Sequence, residues 1–192
     1  MIRRVLEIAA VVAAAAIPFV PTPLVSMVAV ASLALWSGSR GWADVGLRGG
    51  DGTWSAIGIG IAGGIASVVA LGLIDPSAVG YAQPVAVRGS LEVAIIAIVL
   101  VTATAAAAEM VRGFLISALA DLSSEPVAVV AVAVLWAALF GSWTAGGALG
   151  VASASLGFGL LYLAGGRRLA LPIALHATHQ VGAVIAVYAK IV

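Results

Sequence analysis

Uncharged apolar runs as long as a bilayer is thick recur from one end of this sequence to the other, and that feature constrains the chain more than any other. Inside hydrocarbon every backbone N–H and C=O must be satisfied by the protein itself, which leaves helices or a closed barrel, and runs of roughly twenty residues fit helices. With 63% hydrophobic and 9% charged residues, the charges fall mainly in short connectors rather than along helix faces. The expected fold class is all-α, a polytopic transmembrane helical bundle of about seven spans, near 5–20, 24–37, 54–74, 91–119, 126–143, 147–164 and 169–189. These form a single integral membrane domain over 1–192. Residues 1–37 read as a tight helical hairpin turning at Pro18, Pro21 and Pro23. The 23 glycines, with abundant alanine, predict helices packed through small residues.

The amino end, MIRRVLEIAAVVAAAAIPFV, has the basic start and apolar stretch of a secretory signal, but Glu7 interrupts it early and further spans follow, so a retained anchor helix is expected. With that end in the cytoplasm, seven spans put Arg3, Arg4, Arg40, Arg48, Arg167 and Arg168 on the cytoplasmic side and leave Arg88 and Lys190 outside. The 76–90 segment then becomes an external loop. Alanine-, valine- and glycine-rich composition with arginine preferred over lysine suggests a GC-rich bacterial genome, and the expected location is the bacterial cytoplasmic membrane. Cysteine is absent, so disulfides, thiolate metal sites and a cysteine nucleophile are excluded; a net charge of +1 gives no nucleic-acid signature.

Removing the connector charges leaves few ionisable residues at membrane depth: Glu109 and Arg112 in the fourth span, His176 and His179 in the seventh. Such side chains are costly in hydrocarbon and are expected to face the bundle interior and one another. Glu109 and Arg112 are three apart and can pair on one helix face. His176, His179 and Gln180 share a face in the same way. A carboxylate opposite imidazoles suggests hydrolysis: Glu109 as general base toward water, Arg112 keeping it ionised, histidines donating to an oxyanion. One carboxylate and two imidazoles could also hold a divalent metal at Glu109, His176 and His179, although nothing in the sequence requires one. The structural alternative is that the Glu–Arg pair clamps helices and the histidines supply interhelical hydrogen bonds. Trp36, Trp54, Trp136 and Trp143 read as interfacial anchors near span ends.

The order of these motifs resembles the CPBP family, the CAAX-protease and bacteriocin-processing (Abi) group of intramembrane proteases, over about residues 40–185. RGWADVGLR resembles the segment these proteins carry before a span. AAEMVRGFLISAL resembles their EExxxRGxL motif, LFGSWT falls where they carry FxxxH, and LALPIALHATHQ resembles the closing segment with proline before HxxxN. The resemblance implies proteolysis within the membrane, with glutamate activating water and later histidines and an amide stabilising the transition state. It gives Arg112, Gly113, Phe140 and His176 direct counterparts. All three motifs also depart from the pattern. Aligning Arg112 puts the paired glutamates on Ala107 and Ala108, one residue before Glu109, which turns its side chain away by about 100° unless the helix bulges. The second-motif histidine becomes Thr144, and the asparagine becomes Gln180.

Two functions compete on this reading. One is a CPBP-like endopeptidase acting on a membrane-embedded or lipidated peptide, with Glu109, Arg112, His176 and His179 catalytic and Phe140, Thr144 and Gln180 at the substrate. The other is an inactive relative that binds or scaffolds a membrane protein. A small transporter or proton path is a third use of the same buried charges. Membrane lipid is a partner in every case.

Overall fold

The structure is a computed structural model describing residues 1–17, 23–74, 91–141 and 144–189. Among them are seven α-helices and one short 3-10 helix, and no strand. The helices are α1 (Ile2–Ala14), α2 (Pro23–Ser37), α3 (Thr53–Ile74), α4 (Leu91–Ala120), α5 (Glu125–Phe140), α6 (Ala145–Ala164) and α7 (Ala170–Tyr188), with the 3-10 turn at Trp42–Val45 between α2 and α3. Each expected span has its helix. By length and composition α3, α4, α6 and α7 can each cross a membrane, while α2 and α5 are apolar but shorter. The chain is a helical membrane protein. The hairpin prolines 18 and 21, the 76–90 loop, Arg88, Trp143 and Lys190 lie outside the described residues.

Local chemistry sets the helix ends. Pro23 opens α2 and Pro126 stands in the first turn of α5, where a missing N–H costs nothing because those donors have no intrahelical acceptor. Thr144 caps α6, its Oγ1 accepting from the Gly147 N–H at 3.2 Å.

The chain divides into two compact units. One comprises Met1–Gly49 and Ala107–Leu169; the other comprises Gly50–Ala106 and Ala170–Val192, so α4 contributes to both. In the first unit α1 packs on α2 and α5 on α6. Gly159 lets α6 approach closely: a Cβ there would stand 2.8 Å from Val129 and 3.3 Å from Ile116. One end of this unit collects charge. Glu7, nearly buried in the body of α1, accepts from Arg3 at 2.9 Å, Arg4 at 2.8 Å and Arg40 at 2.9 Å, and Arg4 also pairs with Asp121 at 2.6 Å. Arg167 pairs with Glu125.

At the same end, the segment after α2 is tied down by backbone. The Tyr162 hydroxyl donates to the Val45 carbonyl at 3.0 Å and meets Ser117 at 2.9 Å, and the Gly46 carbonyl accepts from the Leu169 N–H at 3.0 Å. Gly46 has φ +105, and a Cβ there would lie 2.1 Å from the Arg167 carbonyl oxygen, so only glycine fits. Arg3, Arg4, Arg40 and Arg167 therefore gather with Glu7, Asp121 and Glu125 at one end of the unit.

The second unit is built on the pairing of α3 with α7. Gly60 and Gly64 form a GxxxG stripe along α3. A Cβ on Gly60 would stand 2.7 Å from Ala174 Cβ, and one on Gly64 2.6 Å from Thr178 Cβ and 2.7 Å from the Leu175 carbonyl oxygen. Backbones touch because side chains are missing, which is how apolar helices gain packing energy where no hydrophobic effect drives them together. Farther along, Val68 packs against Gly182, and Val68 and Leu71 against Ala183 and Ala186. The first turns of α4 join through Ala94, Ala97 and Val101, clustered with Val184. On the opposite side of α3, Trp54, Ile59, Ile65, Val69 and Leu73 are exposed, as expected of a face meant for acyl chains.

Candidate functional site

The sequence-selected residues fall into two groups, one in each unit. In the first unit α4 is buried almost all round from Ala108 to Ile116, unlike its lipid-facing start. Glu109 is 1% exposed and Arg112 3% exposed, and the two form an ion pair one turn apart. The guanidinium is held from further sides: Nε donates to Ser155 Oγ on α6 at 3.1 Å, and Cζ lies 4.7 Å from the Trp136 ring centre on α5 and 5.1 Å from that of Phe158 on α6. Phe140 stacks obliquely on Trp136 at 4.8 Å. Arg112 thus links α4, α5 and α6 through charge, hydrogen bond and cation–π contact together.

Helix α4 runs unbroken as α-helix through residues 107–113, with no π-turn. The bulge that could bring Glu109 onto the face of the family glutamates is absent, so the offset of about 100° per residue stands. Ala108 is buried and Ala107 half-buried at the positions where the pattern has acids. The aromatic assignment also needs correcting for one residue. Trp136 is not an interfacial anchor: it is buried at 6% exposure against Arg112, whereas Trp36 and Trp54 are exposed. Thr144 is exposed and serves as the α6 cap. Its replacement by valine, which removes the capping oxygen, is expected to cost about 1 kcal/mol of stability. Thr144→Ser, keeping that oxygen, is expected to unfold with the parent in a thermal melt.

In the second unit His176, His179 and Gln180 lie half-buried on α7. His179 Nδ1 is 2.8 Å from Ser67 Oγ on α3, and Ser67 also donates to the Gly64 carbonyl at 2.7 Å. The contact depends on the glycine stripe, since the α7 backbone at His179 would stand only 3.0 Å from a Cβ on Gly64. Ser67, Ser155 and Phe158 escaped the sequence reading. A serine in an apolar helix satisfies itself on a carbonyl of the preceding turn and so announces nothing. Among the described residues, neither unit gathers three or more histidine, cysteine or carboxylate side chains able to hold a metal ion.

Residues 89–182 match the family model for type II CAAX prenyl endopeptidase, Rce1-like. This segment is similar to the CAAX-protease domain. The match begins just before α4 and ends within α7, so it contains Glu109 and Arg112, Phe140 and Thr144, and His176 through Gln180. It shows the CPBP resemblance read from the motif order, over a shorter stretch than 40–185, with the RGWADVGLR segment lying outside the Rce1-like match. No curated protein and no solved structure matches the chain.

Proposed function

We propose that the protein is an intramembrane endopeptidase that hydrolyses a peptide bond in a lipidated or membrane-embedded peptide. The observation that carries this reading is the Rce1-like match itself, which extends through the imidazole- and amide-bearing face of α7. His176, the counterpart of the family's closing histidine, would donate a hydrogen bond to the oxyanion, with Gln180 supplying the amide one turn on. Phe140 and Thr144 stand at the second motif and would border the substrate. Glu109 as the water-activating base, with Arg112 orienting it, is the assignment the family pattern suggests. Its burial in an ion pair whose cation is itself held by Ser155, Trp136 and Phe158 favours a structural use instead. The bacterial cytoplasmic membrane, with the amino end inside, is the proposed location.

The test is cleavage of an S-prenylated CAAX peptide by the purified chain in liposomes, followed by mass spectrometry. The intact chain is expected to cleave it, and His176→Ala to lower turnover by about 10²–10⁴-fold. No cleavage by the intact chain would overturn the reading. The second reading, a relative that binds a membrane protein without cutting it, is favoured by Ala107 and Ala108 at the acid positions. It predicts a stoichiometric partner retained equally by the parent and Glu109→Gln. A peptide trapped by Glu109→Gln alone would instead restore Glu109 as the group that consumes what the protein binds.

A further inference from the structure

Ala107 and Ala108 stand at the family's acid positions and Glu109 is ion-paired with Arg112, so a proton acceptor on α7 would serve the hydrolysis. The contact between Ser67 and His179 supplies one. A serine hydroxyl has a single hydrogen and two lone pairs. The hydrogen of Ser67 is directed to the Gly64 carbonyl at 2.7 Å, a separation at which two oxygens without a shared proton would repel. Ser67 Oγ can then only accept at its 2.8 Å contact with the imidazole, which makes His179 Nδ1 the donor. In a neutral imidazole, one nitrogen carrying the proton leaves the other with its lone pair.

We infer that Ser67 is a positioning residue that holds His179 as the Nδ1–H tautomer, so that His179 Nε2 serves as the general base of the hydrolysis. The inference rests on the endopeptidase reading and changes the role of His179 within it, from oxyanion donor to proton acceptor. The water proton passes to Nε2 as the water oxygen bonds to the scissile carbonyl carbon, whose π electrons move onto oxygen. Collapse of that oxyanion breaks the C–N bond, and the departing nitrogen takes the proton back from Nε2. Nδ1–H stays on Ser67 throughout and spreads the transient positive charge toward the hydroxyl oxygen and, through it, the Gly64 carbonyl. The glycine stripe is part of the device, because it sets the α3 to α7 distance that the hydrogen bond needs.

The test combines nitrogen-15 spectra of histidine-labelled protein in liposomes with cleavage of an S-prenylated CAAX peptide, for the parent, Ser67→Ala and Ser67→Thr. The parent His179 is expected to show a protonated Nδ1 and an unprotonated Nε2 in its neutral form. Ser67→Ala should lose that preference and lower kcat on the order of tenfold to a hundredfold with KM little changed. Ser67→Thr, which keeps the hydroxyl, should restore both. A parent spectrum with the proton on Nε2 would overturn the inference, as would undiminished kcat in Ser67→Ala once the tautomer is lost. A parent that cleaves nothing overturns the endopeptidase reading and the base role with it, while the spectrum still decides the tautomer.

Discussion

Arg112→Met is expected to cost about 3–5 kcal/mol of folding stability, the largest effect of any single change considered. Methionine fills much of the volume beside Trp136 and Phe158, so little of the loss comes from packing. The loss comes from Glu109, which at 1% exposure loses the guanidinium it is paired with, and from Ser155, left without its donor. The double variant Glu109→Met with Arg112→Met removes both charges and should recover most of the loss, because an ion pair desolvated to this extent returns little net energy over apolar side chains of similar size. Unfolding of the four proteins of this cycle, in one detergent and followed by helix content, gives the coupling directly. A double variant as unstable as the sum of the singles would mean that the pair is not the unit drawn here. The pair would then be a local contact on α4, and the tie from α4 to α5 and α6 would have to lie elsewhere.

Gly64→Ala is the second large effect, at about 1–3 kcal/mol. Its new Cβ would meet Thr178 Cβ at 2.6 Å and the Leu175 carbonyl oxygen at 2.7 Å, and neither neighbour is the end of a flexible chain. The only relief is for α3 to move away from α7, which lengthens the contact between Ser67 and His179. Gly58→Ala is the control. It lies in the same helix with nothing within 4 Å of its added Cβ, and alanine there is expected to be neutral or to stabilise by up to about 1 kcal/mol through helix propensity. Thermal unfolding should therefore separate two chemically identical substitutions in one helix, and the His179 nitrogen spectrum should change only for Gly64→Ala. Equal melting of the two would show that the helices do not touch along this stripe.

Much of this protein is determined by its sequence alone. Hydrocarbon admits no unsatisfied backbone, so apolar runs of this length can only become helices; the seven helices and their approximate ends follow from that rule with proline, glycine and charge as punctuation. The pairing of Glu109 with Arg112 is local, one helical turn, and was legible for the same reason. So was the resemblance to the CAAX-protease family, because motif order survives when individual motifs decay. Other features depend on which helix faces meet. Trp136 near the end of an apolar run looks like an interfacial anchor until α4 brings a guanidinium against its ring. Ser67 and Ser155 carry no signal of their own, since a helix satisfies a serine internally and only a neighbour within hydrogen-bonding distance gives it a second use. Glu109 reads as a base because an acid at membrane depth invites chemistry; its ion pair with an arginine that is itself held by α5 and α6 favours a structural use. Sequence fixes which residues are too costly to place in lipid at random, and tertiary packing decides which of them are committed to one another and which keep a lone pair for chemistry.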